Sequence, residues 1–362
     1  MAEILNIDEL ACPLPLANFA QVMLGHGSGG KMSAQLLQQV FLPAWNNHTV
    51  AALEDQATLD LGRQWQPTNG TKAPRIALTT DAFVVRPLFF PGGDIGTLAV
   101  HGTVNDLAVG GAIPLYLAAA FILEEGLPID DLQRIVASMR AACQEANVEL
   151  VTGDTKVVDR GKGDGVFITT TGIGLVPDHR QLSIHAARPG DRVLVSGTVG
   201  DHGIAILSVR EGIEFETVLQ SDSAPLASLT EAMLERCPGI RCMRDPTRGG
   251  VASALNELAA ASNVGVRLDE AAIPVRTEVH AACEMLGLDP LYVANEGKLL
   301  AVVPAEDVQG VLQVMRNHPL GQNAVEIGEI VSDHRGLVIL KSLIGGERVV
   351  SMLAGDQLPR IC

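Results

Sequence analysis

Aromatic residues are scarce in this chain, at 3% of 362 residues, so its core must be built from Ala, Val, Leu and Ile, with 37 glycines shaping the connections. Basic charge is scarce too. The balance is 26 − 42 = −16, and no run of Lys or Arg forms a stripe that binds phosphate backbones, which argues against nucleic acid as a partner. An acidic chain still binds nucleotides where divalent cations bridge its carboxylates to phosphates. Cys12, Cys143, Cys237, Cys242, Cys283 and Cys362 include no Cys-x-x-Cys pair, and no histidine pair accompanies Cys237 and Cys242. Neither a structural zinc nor a disulfide framework is expected. The first ten residues carry Glu3, Asp8 and Glu9 in place of a basic leader, and the longest apolar run, Tyr116 to Leu123, is too short to span a bilayer. The expectation is a soluble cytoplasmic protein with no membrane partner.

The length implies about two domains, each able to bury its own core. Apolar residues recur at helical spacing over 31–42 and, more clearly, over 129–147, where Ile129, Leu132, Ile135, Val136, Met139, Cys143 and Ala146 share a face. β-Rich runs at 76–80, 150–152 and 166–175 lie among them, so the first half reads as mixed α/β. Turn chemistry at Ala186-Ala187-Arg188-Pro189-Gly190-Asp191 precedes a strand over 192–196 and helices near 203–211, 224–236 and 249–262. A strand at 298–303, a helix near 305–317, and a hairpin of 337–340 and 348–352 around Gly345-Gly346 close the second half. The expected division is an extension at 1–21, domains at 22–180 and 181–352, and a tail at 353–362.

The chain given stops at Cys362. Ends stay mobile and solvated unless something ties them down, and Pro359 stiffens the approach. Ten steps from Met352, at roughly 3.3 to 3.6 Å each, give the thiol a reach of roughly 35 Å. Gly25-His26-Gly27-Ser28-Gly29-Gly30-Lys31 nearly matches a phosphate-cradling loop, but Met32 stands where the magnesium-binding hydroxyl belongs and Ser33 comes one position late. Two readings stay open: a loop whose amides close over phosphate oxygens, or a helix start capped by Ser28. Asp55, Asp81, Asp106, Asp154 and Asp245 recur at expected strand ends or loops, and such a set can hold more than one Mg²⁺ on a triphosphate, though a lone turn Asp usually caps a helix. Asn105-Asp106 interrupts an apolar run, where polar groups need partners, which favours function. Asn295-Glu296-Gly297-Lys298 sets a carboxylate at a glycine turn, and Lys156 follows Asp154 and Thr155 where it could neutralise phosphate. The histidines, His101 and His202 among them, show no metal spacing.

Gly27-Ser28-Gly29-Gly30, Thr80-Asp81, Asn105-Asp106, Gly153-Asp154-Thr155-Lys156-Val157-Val158, Thr247-Arg248-Gly249-Gly250, Asn295-Glu296-Gly297-Lys298 and Pro359-Arg360-Ile361-Cys362 stand in one order. Over residues 22 to 362 the chain resembles the HypE family of carbamoyl dehydratases of [NiFe]-hydrogenase maturation, within the PurM-like superfamily of aminoimidazole ribonucleotide synthetase. The terminal tetrapeptide discriminates, since the other motifs are shared in outline with selenophosphate synthetase and thiamine-phosphate kinase. Cys12 lies outside the match. The resemblance implies an N-terminal α/β domain forming a β-barrel-like dimer interface, a C-terminal α+β domain and a swinging tail. It implies that HypF carbamoylates Cys362, that ATP drives dehydration to a thiocyanate, and that the cyano group passes to iron on a HypC–HypD complex. By resemblance Glu296 is the base, aided by Lys156. Asp55, Asp81, Asp106, Asp154 and Asp245 hold Mg²⁺, and Gly27, Ser28, Gly29, Gly30, Asn105, Thr155 and Lys156 attend the nucleotide. Alternatives are another ATP-using enzyme of the superfamily, or a non-catalytic carrier of a modified cysteine.

Overall fold

The computed structural model describes residues 21–45, 47–63, 73–213, 219–353, 355 and 360–362. Most of the expected extension, with Cys12, and Pro359 ahead of Cys362 lie outside them. After the turn Leu24–Gly27 the chain stays helical through α1 (Lys31–Leu36), a π-helical turn (Leu37–Phe41) and α2 (Leu42–Trp45), covering the helix expected at 31–42; α3 (His48–Ala51) follows. Next come β1 (Ala57–Asp60), β2 (Arg75–Phe83), the short pair β3 (Phe89–Phe90) and β4 (Gly93–Asp94), α4 (Ile95–Val109), β5 (Ile113–Glu124), α5 (Ile129–Glu145), β6 (Glu149–Val158) and β7 (Val166–Val176). The main strands form one sheet in the order β1-β2-β7-β5-β6, antiparallel except for β5 with β6.

α4 is buried on nearly all sides, lying against β2 and β7, and carries its polar groups His101, Thr103, Asn105 and Asp106 into the interior. Its start is fixed by Asp94, whose Oδ1 accepts from the amides of Gly96 (2.7 Å) and Thr97 (3.0 Å). α5 covers α4 with Ile135, Met139, Ala142 and Cys143; of the face its spacing predicts, Ile129 and Val136 are exposed instead. The other side of the sheet is open. There Leu78 pairs with Ile173, and Ile173 with Tyr116, in an exposed apolar row across β2, β7 and β5.

The second half contributes β8 (Arg192–Val195), α6 (Asp201–Glu211), α7 (Ala227–Arg236), β9 (Cys242–Arg244), α8 (Gly250–Ser262), β10 (Gly265–Asp269), α9 (Thr277–Leu286), β11 (Leu300–Val303), α10 (Val308–Asn317), β12 (Val325–Val331), β13 (Val338–Lys341) and β14 (Glu347–Val350). Its seven-stranded sheet runs β14-β13-β10-β12-β8-β11-β9. β8 and β11 are buried on both faces, Val193, Val195 and Val302 towards α8 and Leu194, Ala301 and Val303 towards α7 and α10. The expected helices and the closing hairpin β13–β14 are present. Placement of the aspartates departs from expectation: Asp81 lies inside β2, Asp106 inside α4 and Asp154 inside β6, not at strand ends or in loops. For the first two, threonine hydroxyls from within the same fold offset the cost of a carboxylate in a regular element. Among the described residues no helix is long and apolar enough to cross a membrane.

Candidate active site

The inward row of β2 carries Thr79 and Asp81 towards α4, which offers Thr103 and Asp106 one turn apart. Thr79 Oγ1 donates to Asp106 Oδ2 at 2.7 Å, and Thr103 Oγ1 to Asp81 Oδ2 at 3.3 Å. Asp55, just before β1, and Asp245, just after β9, close on this pair. Carboxylate oxygens of Asp55, Asp106 and Asp245 lie within 4.8 Å of one another. Burial raises Asp55 and Asp106 well above the usual carboxylate range, with repulsion from neighbouring aspartates adding to it, and raises Asp245 to about 6, with repulsion from Asp81. Arg244 opposes it, with its Nη1 3.0 Å from Asp55 Oδ1 and its Nη2 2.6 Å from Glu257 Oε2.

Glu296 enters from the turn before β11 and is 2% exposed. The turn is held by main-chain bonds: Asp222 Oδ1 accepts from the Glu296 amide at 3.0 Å, and Asn105 Nδ2 donates to the Glu296 carbonyl at 3.0 Å. Asn295 ties it to the Asp245 loop by donating to the Pro246 carbonyl at 3.0 Å. Glu296 Oε1 finds no hydrogen-bond partner among the described residues, and burial raises its carboxyl well above normal. Asn105 Nδ2 also reaches the Ala224 carbonyl (3.0 Å), and its Oδ1 accepts from the Leu226 amide (2.7 Å). Both of its polar atoms meet main-chain groups, and through them it holds the Glu296 turn.

Cys362 is 8% exposed and shares a cavity of about 40 Å³ with Asp81, Asp106, Asp245, Arg248 and Glu296. What ties this end down is main-chain pairing along 84–86: the Val84 amide donates to the Cys362 oxygen (3.1 Å) and the Arg86 amide to that of Arg360 (3.2 Å). Arg360 adds an ion pair with Asp164 at 2.7 Å. Burial pushes the Cys362 thiol up to about 12, with Arg248 opposing and the Glu296 and Asp81 carboxylates adding to it.

The glycine loop flanks the cluster but does not present an open cradle. The amides of Ser28, Gly29 and Lys31 are taken by Gly25 O, Ser33 Oγ and Leu353 O. Ser28 is not the cap of α1, whose N-cap is Gly30; its hydroxyl goes to the Gly25 carbonyl. Any side chain at Gly30 would collide with the Leu353 carbonyl. Arg248 Nη1 donates to Gly27 O at 3.2 Å, linking loop and cavity. Asp154, Thr155 and Lys156 are not brought to this cluster: they lie on the exposed edge strand β6, where Lys156 Nζ pairs with Asp154 at 2.7 Å. Sequence reasoning gave no role to Arg244, Arg248 or Asp222. Arg248 stood inside a quoted motif; Asp222 carried no local signal.

The two halves that meet at these carboxylates are those of an AIR synthase related protein. The N-terminal domain model of that family matches residues 54–176 and its C-terminal domain model residues 188–341. Within it, the chain belongs to the HypE family. It is 56% identical over 342 residues to the carbamoyl dehydratase HypE of Cupriavidus necator, covering 94% of this chain and 95% of the relative. A solved HypE in complex with ATP is 47% identical, covers 94% of this chain and 100% of its own, and superposes with a TM-score of 0.77. A HypE–HypF complex is 46% identical, covers 88% and 99%, and gives 0.80.

Proposed function

We propose that the chain is an ATP-dependent carbamoyl dehydratase that converts an S-carbamoyl group on Cys362 to a thiocyanate, the source of a cyanide ligand for the iron of [NiFe]-hydrogenase. The observation that carries this reading is the burial of the Cys362 thiol in one small cavity with Glu296, Arg248 and the aspartates. A passive carrier would gain nothing from drawing its thiol into an acidic pocket that suppresses its reactivity.

The donor set fits Mg²⁺: the candidate ligands are all oxygens, half-buried at Asp55 and Asp106 and buried at Asp245, and met by one arginine at Asp55. Asp55, Asp106 and Asp245 would hold the ion, with Asp81 beside them. A cavity of about 630 Å³, lined by Gly29, Leu37, Ile184 and Ala260 and opening on Asp55, suits the nucleoside. When bound, ATP supplies the phosphoryl group that turns the amide oxygen into a leaving group. Glu296 takes protons from the amide nitrogen; its raised pKa makes it a stronger base once ionised, and its unpartnered Oε1 is free to accept. Arg248 lies among Cys362, Asp81 and Glu296 and offsets charge there.

Lys156, Asp154 and Thr155 would act from a second copy. The exposed apolar row Leu78–Ile173–Tyr116 needs a cover, and two such faces would close a barrel that brings each β6 to the other chain's cleft. HypF would load Cys362 with the tail swung out, and a HypC–HypD complex would receive the cyanide. The test is intact-mass analysis after adding HypF, carbamoyl phosphate and Mg-ATP. Cys362 should gain the adduct and lose one water, while Glu296→Gln should stall at the carbamoylated form. An adduct on another cysteine, or normal dehydration by Glu296→Gln, would refute the assignment.

A further inference from the structure

His202, on α6, is fully buried and has no part in the chemistry above. Its Nε2 lies 2.7 Å from the Ile361 carbonyl oxygen and its Nδ1 2.7 Å from Ser221 Oγ. A carbonyl can only accept, so Nε2 carries the proton, and Nδ1 accepts from the serine hydroxyl. Phe90 meets the imidazole edge-on, with ring centroids 5.6 Å apart, and fixes its plane. Ser221 opens a short segment whose far end is built onto the base. Asp222 Oδ1 receives the Glu296 amide at 3.0 Å, Asp222 Oδ2 lies 3.2 Å from Lys298 Nζ, and the Ala224 carbonyl shares Asn105 Nδ2 with the Glu296 carbonyl. Any side chain at Gly297 would collide with the Asp222 carbonyl, so the segment rests directly on the Glu296 turn. The Ser223 amide, donating to Ser221 Oγ at 3.1 Å, makes the segment one unit.

We infer that residues 221–224 form a relay that couples seating of Ile361-Cys362 to alignment of Glu296, with His202 as the positioning residue that reads the seated tail. When the tail leaves, the buried Nε2–H loses its acceptor. A buried donor without a partner is costly, so the ring, and Ser221 with it, shifts to recover one. The Asp222 clamp on the Glu296 amide shifts with the segment. The coupling is reciprocal: a base held in place by Asp222 favours the docked tail. This inference rests on the roles proposed above for Cys362 and Glu296.

Two measurements on the full-length chain test it. Alkylation of Cys362 by N-ethylmaleimide, followed by peptide mass, reads docking without any chemistry; single-turnover dehydration of the carbamoylated chain at saturating Mg-ATP reads the base. His202→Ala should alkylate about five- to tenfold faster, the factor one buried hydrogen bond is worth, and dehydrate more slowly by at least that factor. His202→Gln, whose amide can reach the same carbonyl, should recover both in part and serves if the alanine variant does not fold. Ser221→Ala cuts the relay at its middle and should slow dehydration with nucleotide affinity unchanged. Normal dehydration by Ser221→Ala would reduce His202 to a clamp and overturn the relay. Alkylation of His202→Ala at the wild-type rate would overturn the latch. A wild-type chain that alkylates slowly but never dehydrates would remove the reaction on which the relay depends, and the relay with it.

Discussion

Asp245→Asn should stabilise the cation-free chain at pH 8 and weaken it relative to wild type once Mg-ATP is bound. Asp245 is 8% exposed, and burial with repulsion from Asp81, against attraction from Arg244, moves its pKa from the ordinary 3.8 to about 6. At about 1.36 kcal/mol per pKa unit, holding it ionised at pH 8 costs the folded state about 3 kcal/mol. The unfolded chain releases this proton near the ordinary value, so between the two values the folded state binds more protons and stability falls as pH rises. Asparagine has the same shape and no charge. It should recover up to about 3 kcal/mol at pH 8, which at roughly 2.1 cal/mol/K per residue is a rise in Tm of about 4 °C. At pH 5 the folded wild-type carboxyl is protonated while the unfolded chain is still mostly ionised, so the gain should fall to about half, roughly 1.6 kcal/mol, and it vanishes only below the ordinary value of 3.8. Saturating Mg-ATP should reverse the order, because ligand binding stabilises only the chain that can hold it. Thermal melts at pH 5 and pH 8, with and without Mg-ATP, check all three statements. A variant that melts below wild type at pH 8 without cation, or a difference independent of pH, would refute the reasoning.

Asn105→Ala should lower stability by about 2–4 kcal/mol in urea unfolding, since it orphans the Leu226 amide and the Glu296 and Ala224 carbonyls in a buried site. Ile173→Arg, at the centre of the exposed apolar row, should convert a dimer to monomers in light scattering while far-ultraviolet circular dichroism stays unchanged; a persistent dimer would place the interface elsewhere. Gly30→Ala should displace the glycine loop from Leu353 and weaken nucleotide binding at least tenfold by titration calorimetry.

The sequence made α5, α8, α10 and the β13–β14 hairpin legible because helix spacing and glycine turns are local signals. α4 was noticed only as an apolar run broken by Asn105-Asp106: a helix buried on nearly all sides has no polar face to display a period. The partners of Asn105 were not legible, since they are main-chain groups from segments far along the chain. His202 carried no metal-like spacing, and its acceptor, the Ile361 carbonyl, belongs to a peptide bond that no side-chain pattern can announce.

By itself the amino-acid order determined the residue types the chemistry needs: a scattered set of aspartates, one carboxylate at a glycine turn and a cysteine at position 362. Tertiary structure alone decided which of them meet. The register of β2 against β7 and the docking of α4 bring Asp81 and Asp106 to Asp245, Glu296 and Cys362, whereas the same motif order leaves Asp154 and Lys156 on an open edge. Spacing along a chain encodes which face of one element a side chain occupies. Which faces are pressed together depends on where the apolar surface of both halves is buried, and that is a property of the whole fold.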